Sequence, residues 1–380
     1  MKRMILLCLV AAFVLGALPF MGAAAPEVAA KSALLIDIAT GTVLYEQNPH
    51  EKLPPASVTK VMTMLLIMEA IDEGRIGWDD PVTASENAAA KGGSQVYLKE
   101  GETMSVSDMV KSIAVSSAND CACAMAEHLC GSEESFVELM NRRAEELGML
   151  DTYFVNCTGL DDGPEGSDHL TSAYDIGLMS CQLLKYHPQI TKFTTIWMDT
   201  IRDGQFGLSN TNKLVRFYDG ATGLKTGFTS AAGYCLSASA KREGMELVAV
   251  VMGAATSKDR FNACKALLDF GFANYALVQP QLQEMTVPVV LGRESQVQAV
   301  PGYDPQLLVE KAQKSNVQLT TQLESEVTAP VSKGQRLGTM TVRVGEQVIA
   351  QIPLVAEKTV RKRTYGELFL DMVKALCLAK

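Results

Sequence analysis

The apolar positions of this chain fall in short strand-like runs separated by turns near residues 32–46 and again over 221–253, and follow a largely helical pattern between. Residues 32–38 and 42–45 flank the turn Ala39-Thr40-Gly41 and predict a β-hairpin. After Pro54 and Pro55, which suit the start of a helix, residues 58–71 are apolar on nearly every side and predict a buried helix. Residues 134–147 carry Phe136, Leu139, Met140 and Leu147 on one face and Arg142, Arg143 and Glu146 on the other, with Gly148 as the stop. Residues 157–169 are rich in Gly and Asp and read as a loop. Strands are then predicted at 221–229, 234–240 and 247–253, the last two joined by Arg242-Glu243-Gly244, and a helix at 260–275.

Two strands before a helical block and three after it are most simply joined in one antiparallel sheet, with helices covering it and the middle block forming a helical lobe. The fold class is therefore α/β in the α+β sense, and a cleft between lobe and sheet edge is the natural place for a site. Near residue 280 the helical period stops. Short Val-rich runs at 285–290 and 296–300, and a hairpin of 340–344 with 347–352 around Gly345-Glu346, predict a small all-β C-terminal domain.

The two termini have their own patterns. Lys2 and Arg3 precede an apolar run over 4–20, followed by small residues at 22–25 and 28–30, the order of a secretory signal peptide, with cleavage after Ala24 or Ala30. The competing reading is an uncleaved anchor. At the other end Tyr365, Leu368, Phe369, Met372, Val373 and Leu376 step by three and four, opposite Glu367, Asp371 and Lys374, and follow the basic cluster Arg361-Lys362-Arg363. This helix is too short and too charged to span a bilayer. Its apolar face either docks on the β domain or lies in a membrane interface; the terminal position and the basic cluster, together with the family resemblance given below, favour the membrane surface. The predicted organisation is a signal peptide over 1–30, an α+β domain over 31–277, a β domain over 284–358 and an amphipathic tail helix over 359–380. The chain is expected to be exported and to work at the outer face of the cytoplasmic membrane.

Composition narrows the function. With 380 residues, 47% hydrophobic and 20% charged, the chain is an ordinary globular protein of two or three domains. A net charge of -9 lacks the basic footprint of a nucleic-acid binder, so no nucleic-acid partner is expected. Nine cysteines in an exported chain permit disulfides. Yet Cys121, Cys123, Cys130, Cys235 and Cys264 sit inside apolar runs, where a thiol serves as a small buried hydrophobe, so mostly free thiols are expected. No cysteine or histidine cluster has zinc spacing; no metal and no cofactor are expected.

Three short motifs occur in one order: Ser57-Val58-Thr59-Lys60, Ser117-Ala118-Asn119 and Lys225-Thr226-Gly227. Each alone is weak, and a Ser with a Lys three residues later is expected about once by chance in such a chain. Ser85-Glu86-Asn87 also matches the second pattern, but reads as a helix cap. Context separates them: Ser57 opens a predicted helix, Ser117 falls at a break between two helices and Lys225 lies on a strand. A spacing of three on a helix sets Ser57 beside Lys60. The serine needs a base, and Lys60 serves only when neutral, a state favoured by burial and by positive charge such as that of Lys225. The Ser57 N–H at the helix start can form half of an oxyanion hole. Ser117 can relay a proton, Asn119 can hold a substrate amide, and Lys225 with Thr226 can bind a carboxylate.

At these residues the chain resembles the low-molecular-weight penicillin-binding proteins, the D-alanyl-D-alanine carboxypeptidases. The resemblance extends to Pro55-Ala56 before Ser57, to Phe154-Val155-Asn156 with Thr158-Gly159-Leu160-Asp161-Asp162, to His169 and Ala173-Tyr174-Asp175, to Asn210-Thr211-Asn212-Lys213-Leu214, and to Ala329-Pro330-Val331 with Gly334-Gln335. It implies a β-lactamase/transpeptidase-like fold followed by a β domain, and an acyl-enzyme on Ser57 with Lys60 as base and Ser117 assisting. It further implies that Lys225 meets the substrate carboxylate and that the Phe228 N–H completes the oxyanion hole. The expected partners are peptidoglycan stem peptides and β-lactam antibiotics. Phe228 stands where some relatives carry His. A serine β-lactamase is the competing enzyme, but residues 157–170 lack a Glu-x-x-Leu-Asn stretch. A catalytically silent penicillin sensor or scaffold is the competing non-enzyme.

Overall fold

The computed structural model describes residues 25–161, 168–279, 283–303 and 305–378. The predicted signal peptide lies outside them up to residue 24. The chain divides into two compact units, Met1–Asn274 and Tyr275–Lys380.

In the first unit the two early strands and the three late ones join in one five-stranded antiparallel sheet. Its spatial order is Val43–Gln47, Ser32–Asp37, Met245–Ala254, Gly233–Arg242, Ala221–Thr229. Every residue of Ser32–Asp37 is buried, because helices cover both faces. The period of two shows in the contacts. Gly271 of the helix Ser257–Asn274 packs on Leu35, whereas Gly177 of Ala173–Tyr186 packs on Leu34 and Ile36, the opposite face.

The lobe is built around the helix Lys60–Asp72, whose sequence has no polar stripe. Met62, Met64, Leu65, Leu66, Ile67 and Met68 are all buried, as a helix that is apolar all round requires. It is surrounded by Val106–Ser116, Asn119–Cys130, Glu133–Glu146 and Ala173–Tyr186. Truncating one such side chain, Leu65→Ala, costs about 2–5 kcal/mol. Ser105, Ser132 and Ser172 cap three of these helices by accepting the backbone N–H three residues on. The seven described cysteines at 121, 123, 130, 157, 181, 235 and 264 are free thiols.

The second unit carries a six-stranded sheet in the order Val317–Leu323, Arg336–Val344, Gln347–Ala356, Gln296–Pro301, Thr286–Val290, Val327–Thr328. Tyr275–Val278 pairs separately with Leu307–Glu310. The hairpin turns at Gly345-Glu346 with Val344 opposite Gln347. Val287, Val297, Val331, Leu337, Met340, Ile352 and Val360 form its core. The tail helix is Tyr365–Leu378. It begins later than the residue 359 expected, because Val360 bridges Val331 within the core and Lys362 bridges Gly292.

Candidate active site

Ser57 lies in a single 3-10 turn, Ala56–Thr59, that leads into the helix Lys60–Asp72. The residue before it, Ala56, is forced to a positive φ of 49°. Spacing of three brings the two predicted groups together: Lys60 Nζ donates to Ser57 Oγ at 3.0 Å and to the Thr158 carbonyl at 2.8 Å. The Lys60 side chain is fully buried, and that burial pushes its pKa down to about 7 against the pull of Cys157 and Asp120. Of the two causes expected from sequence, burial and the charge of Lys225, burial is the one that lowers it.

Ser117 closes Val106–Ser116 in a left-handed conformation, φ 65° and ψ 28°, and is buried. Two residues later the chain turns into Asn119–Cys130. The Asn119 backbone N–H donates to Ser94 O at 2.7 Å and its Nδ2 donates to Gly92 O at 2.7 Å. Its Oδ1 is buried with no partner among the described residues. Asp120 accepts the N–H groups of Val96 and Leu98, so the start of this helix fixes the loop that carries Ser94.

The third motif lies on the edge strand Ala221–Thr229, which packs against the Ser57 turn. Gly227 makes that approach possible: a Cβ there would stand 2.6 Å from Pro55 O and 3.1 Å from Ser57 N. Lys225 and Thr226 are buried. Lys225 Nζ donates to Thr226 O at 2.9 Å, and Thr226 Oγ1 donates to Thr211 Oγ1 at 2.7 Å. The Thr211 N–H in turn donates to Val115 O, tying the strand block to the helix that ends at Ser117. Burial pushes the Lys225 ammonium well below its usual pKa, and the charges of Lys60 and Arg260 add to the effect. The Phe228 ring is half-exposed and stacks on Tyr234 with centroids 4.3 Å apart.

Arg260 was missed from the sequence. It projects from Ser257–Asn274 to donate to Gly227 O at 2.9 Å and Cys235 O at 3.3 Å, with Nε buried and unpaired among the described residues. A signal existed: Arg260 falls in the same stripe as Cys264, Leu267 and Gly271, and an arginine on an apolar face is buried for a reason. Ser85, the decoy, caps the short helix Glu86–Ala89 by accepting from the Ala88 N–H at 3.0 Å. Among the described residues no group of three His, Cys, Asp or Glu could hold a metal.

Comparison with known proteins converges on one family. The sequence profile of the D-alanyl-D-alanine carboxypeptidase peptidases matches residues 20–256, and that of the C-terminal domain of penicillin-binding protein 5 matches residues 272–362. The chain is 45% identical over 340 residues to the D-alanyl-D-alanine carboxypeptidase DacF of Bacillus subtilis, covering 88% of this chain and 86% of that one. It is 35% identical to DacC of Escherichia coli over 89% of this chain and 86% of that one. Its structure resembles penicillin-binding protein 5 of Haemophilus influenzae, with TM-score 0.78 and 30% identity over 91% of this chain and 100% of that one. It also resembles penicillin-binding protein D2 of Listeria monocytogenes in its ampicillin-bound form, with TM-score 0.59 and 33% identity over 65% of this chain and 100% of that one. With a buried lysine set on a serine, and both profiles matching in order along the chain, this protein belongs to the D-alanyl-D-alanine carboxypeptidase family of low-molecular-weight penicillin-binding proteins.

Proposed function

We propose that the chain removes the terminal D-alanine from peptidoglycan stem pentapeptides through an acyl-enzyme on Ser57. The observation that carries this reading is the 3.0 Å contact of Lys60 Nζ with Ser57 Oγ, with the lysine poised near pH 7 by burial. Neutral Lys60 takes the Ser57 proton as Oγ attacks the carbonyl of the penultimate D-alanine. The oxyanion forms against the N–H groups of Ser57 and Phe228, where Gly227 lets strand and turn close together. Ser117 relays that proton from Lys60 to the departing amine, so Lys60 is neutral again as free D-alanine leaves. Water then attacks the ester with Lys60 again as base, which releases the shortened peptide and restores Ser57.

Recognition falls to the surrounding groups. Asn119 Oδ1, buried and unpaired among the described residues, accepts a substrate amide N–H. Lys225 and Thr226, with Arg260 behind them, meet the free C-terminal carboxylate, whose charge draws the proton back onto Lys225. A β-lactam presents a similar amide and carboxylate and acylates the same serine, a reading supported by the ampicillin-bound Listeria relative. The test is D-alanine release from a peptide ending in D-Ala-D-Ala. The protein should release it, Ser57→Ala should not, and Lys225→Ala should lose far more on the acid peptide than on its amide. An active Ser57→Ala protein would refute the assignment.

We also infer that the protein is exported and held at the outer face of the cytoplasmic membrane by its tail helix. Tyr365, Phe369, Leu370, Met372 and Val373 are exposed on Tyr365–Leu378, beside Arg361, Lys362 and Arg363. No helix among the described residues is long and apolar enough to cross a membrane, which favours an interfacial seat. Because Val360 belongs to the core of the second unit, the informative truncation ends at Thr364. It should keep full activity on soluble peptide and lose sedimentation with anionic vesicles. Equal sedimentation of both proteins would place the helix in the fold instead.

A further inference from the structure

A chain of hydrogen bonds with only one possible direction runs into the turn that carries Ser57. The Val155 N–H donates to His169 Nδ1 at 3.1 Å. Nδ1 is therefore an acceptor, and in a neutral imidazole the proton sits on Nε2. Nε2 stands 2.8 Å from Thr59 Oγ1. Thr59 Oγ1 stands 2.9 Å from Ala56 O, which can only accept, so the threonine hydroxyl gives its proton to that carbonyl and accepts from Nε2–H. The direction is fixed from both ends.

The end of this relay is the peptide unit between Ala56 and Ser57. A peptide unit is planar, so fixing the direction of Ala56 O also fixes the direction of the Ser57 N–H. Ala56 holds a positive φ, a costly state for a residue with a Cβ, and needs outside support. Gly159 backs the same carbonyl so closely that a Cβ there would fall 1.9 Å from Ala56 O. Hydrogen bonds in series also polarise one another, so a donor on Ala56 O makes the Ser57 N–H a stronger donor.

We propose that His169 is a positioning residue that, through Thr59, orients and polarises the Ser57 N–H for the oxyanion. His169 touches no reacting atom. It is buried against Phe154, with ring centroids 5.6 Å apart. Burial and the Lys60 charge hold its pKa down to about 4, so the relay stays intact across the working range of the enzyme. The inference rests on Ser57 as nucleophile.

The test compares His169→Phe, His169→Gln and Thr59→Val by the rate of Ser57 acylation with labelled penicillin. Phe keeps the contact with Phe154 and removes both hydrogen bonds; Gln carries an acceptor and a donor on one amide and can restore them. Deleting an oxyanion donor outright costs about 10²–10³-fold, so misorienting one should slow acylation about 10–100-fold. His169→Phe and Thr59→Val should each show this loss in the acylation step with unchanged pre-covalent binding. The double variant should be no slower than either alone, and His169→Gln should recover most of the rate. Nitrogen NMR of the wild-type protein should show His169 as the Nε2–H tautomer. Acylation of Ser57 at the wild-type rate in His169→Phe, losses that multiply in the double variant, or an Nδ1–H tautomer would overturn the proposal. If His169→Phe fails to fold, Thr59→Val and the tautomer still decide it. Labelling at a residue other than Ser57 in the wild-type protein would instead refute the nucleophile assignment.

Discussion

Two segments of this protein carry the same three-residue pattern, and the physics around them differs at every point. Ser85-Glu86-Asn87 is satisfied. Ser85 is extended, accepts from the Ala88 N–H and donates to Glu127, and Asn87 Nδ2 donates to Glu127 at 2.9 Å. Ser117-Ala118-Asn119 is held in a left-handed break, buried, with Asn119 Oδ1 lacking a partner among the described residues. A polar group that folding has already satisfied has nothing left for a substrate, whereas a buried acceptor kept unpaired carries a cost that binding can offset. The pattern in the sequence marks a candidate; the state of its hydrogen bonds separates the cap from the site.

Substitutions sharpen this contrast, beginning with the largest effect. Ser117→Ala should lower kcat/KM for D-Ala-D-Ala peptide about 10²–10⁴-fold, the usual worth of a proton relay. Steady-state kinetics checks it, and a loss under threefold would remove Ser117 from the chemistry. Asn119→Ala should cost about 5–150-fold, the worth of about 1–3 kcal/mol at a buried acceptor. Asn87→Ala should leave the same assay unchanged. The pH profile comes next. Lys60 is a base only when neutral, and its pKa stands at about 7. Acylation should therefore fall about tenfold for each pH unit below 7 and level off above it. A rate flat from pH 5 to 8 would show that another group takes the Ser57 proton. The smallest effect belongs to the decoy: Ser85→Ala should cost about 1 kcal/mol in denaturant unfolding and nothing in turnover. A large loss of activity there would break the comparison.

Much of this was legible in the sequence because it is local. Short apolar runs at 32–38 and 247–253, bounded by the turns Ala39-Thr40-Gly41 and Arg242-Glu243-Gly244, placed the sheet, and an unbroken apolar run over 58–71 placed the buried helix. The spacing of Ser57 and Lys60 placed them side by side. What the sequence hid is long-range. The Thr158 carbonyl that receives Lys60 lies 98 residues away, and His169 lies 110 residues from Thr59. No periodicity encodes such pairings. The burial of Arg260 could be read from its helical stripe, but its partners Gly227 and Cys235, on two neighbouring strands, could not. The turn at Ser57 also differs from the helix start that was expected. Closing strand, loop and helix on one serine forces Ala56 to a positive φ that its side chain alone would not choose.

In the proposed mechanism Ser57, with Lys60 as its base, is the residue that becomes acylated. The direct measurement is peptide mapping by mass spectrometry after brief exposure of the full chain to benzylpenicillin at pH 8. A single adduct on the peptide containing Ser57, absent in Ser57→Ala and formed far more slowly in Lys60→Ala, is the predicted result. An adduct on any other serine, or undiminished labelling of Ser57→Ala, would contradict it.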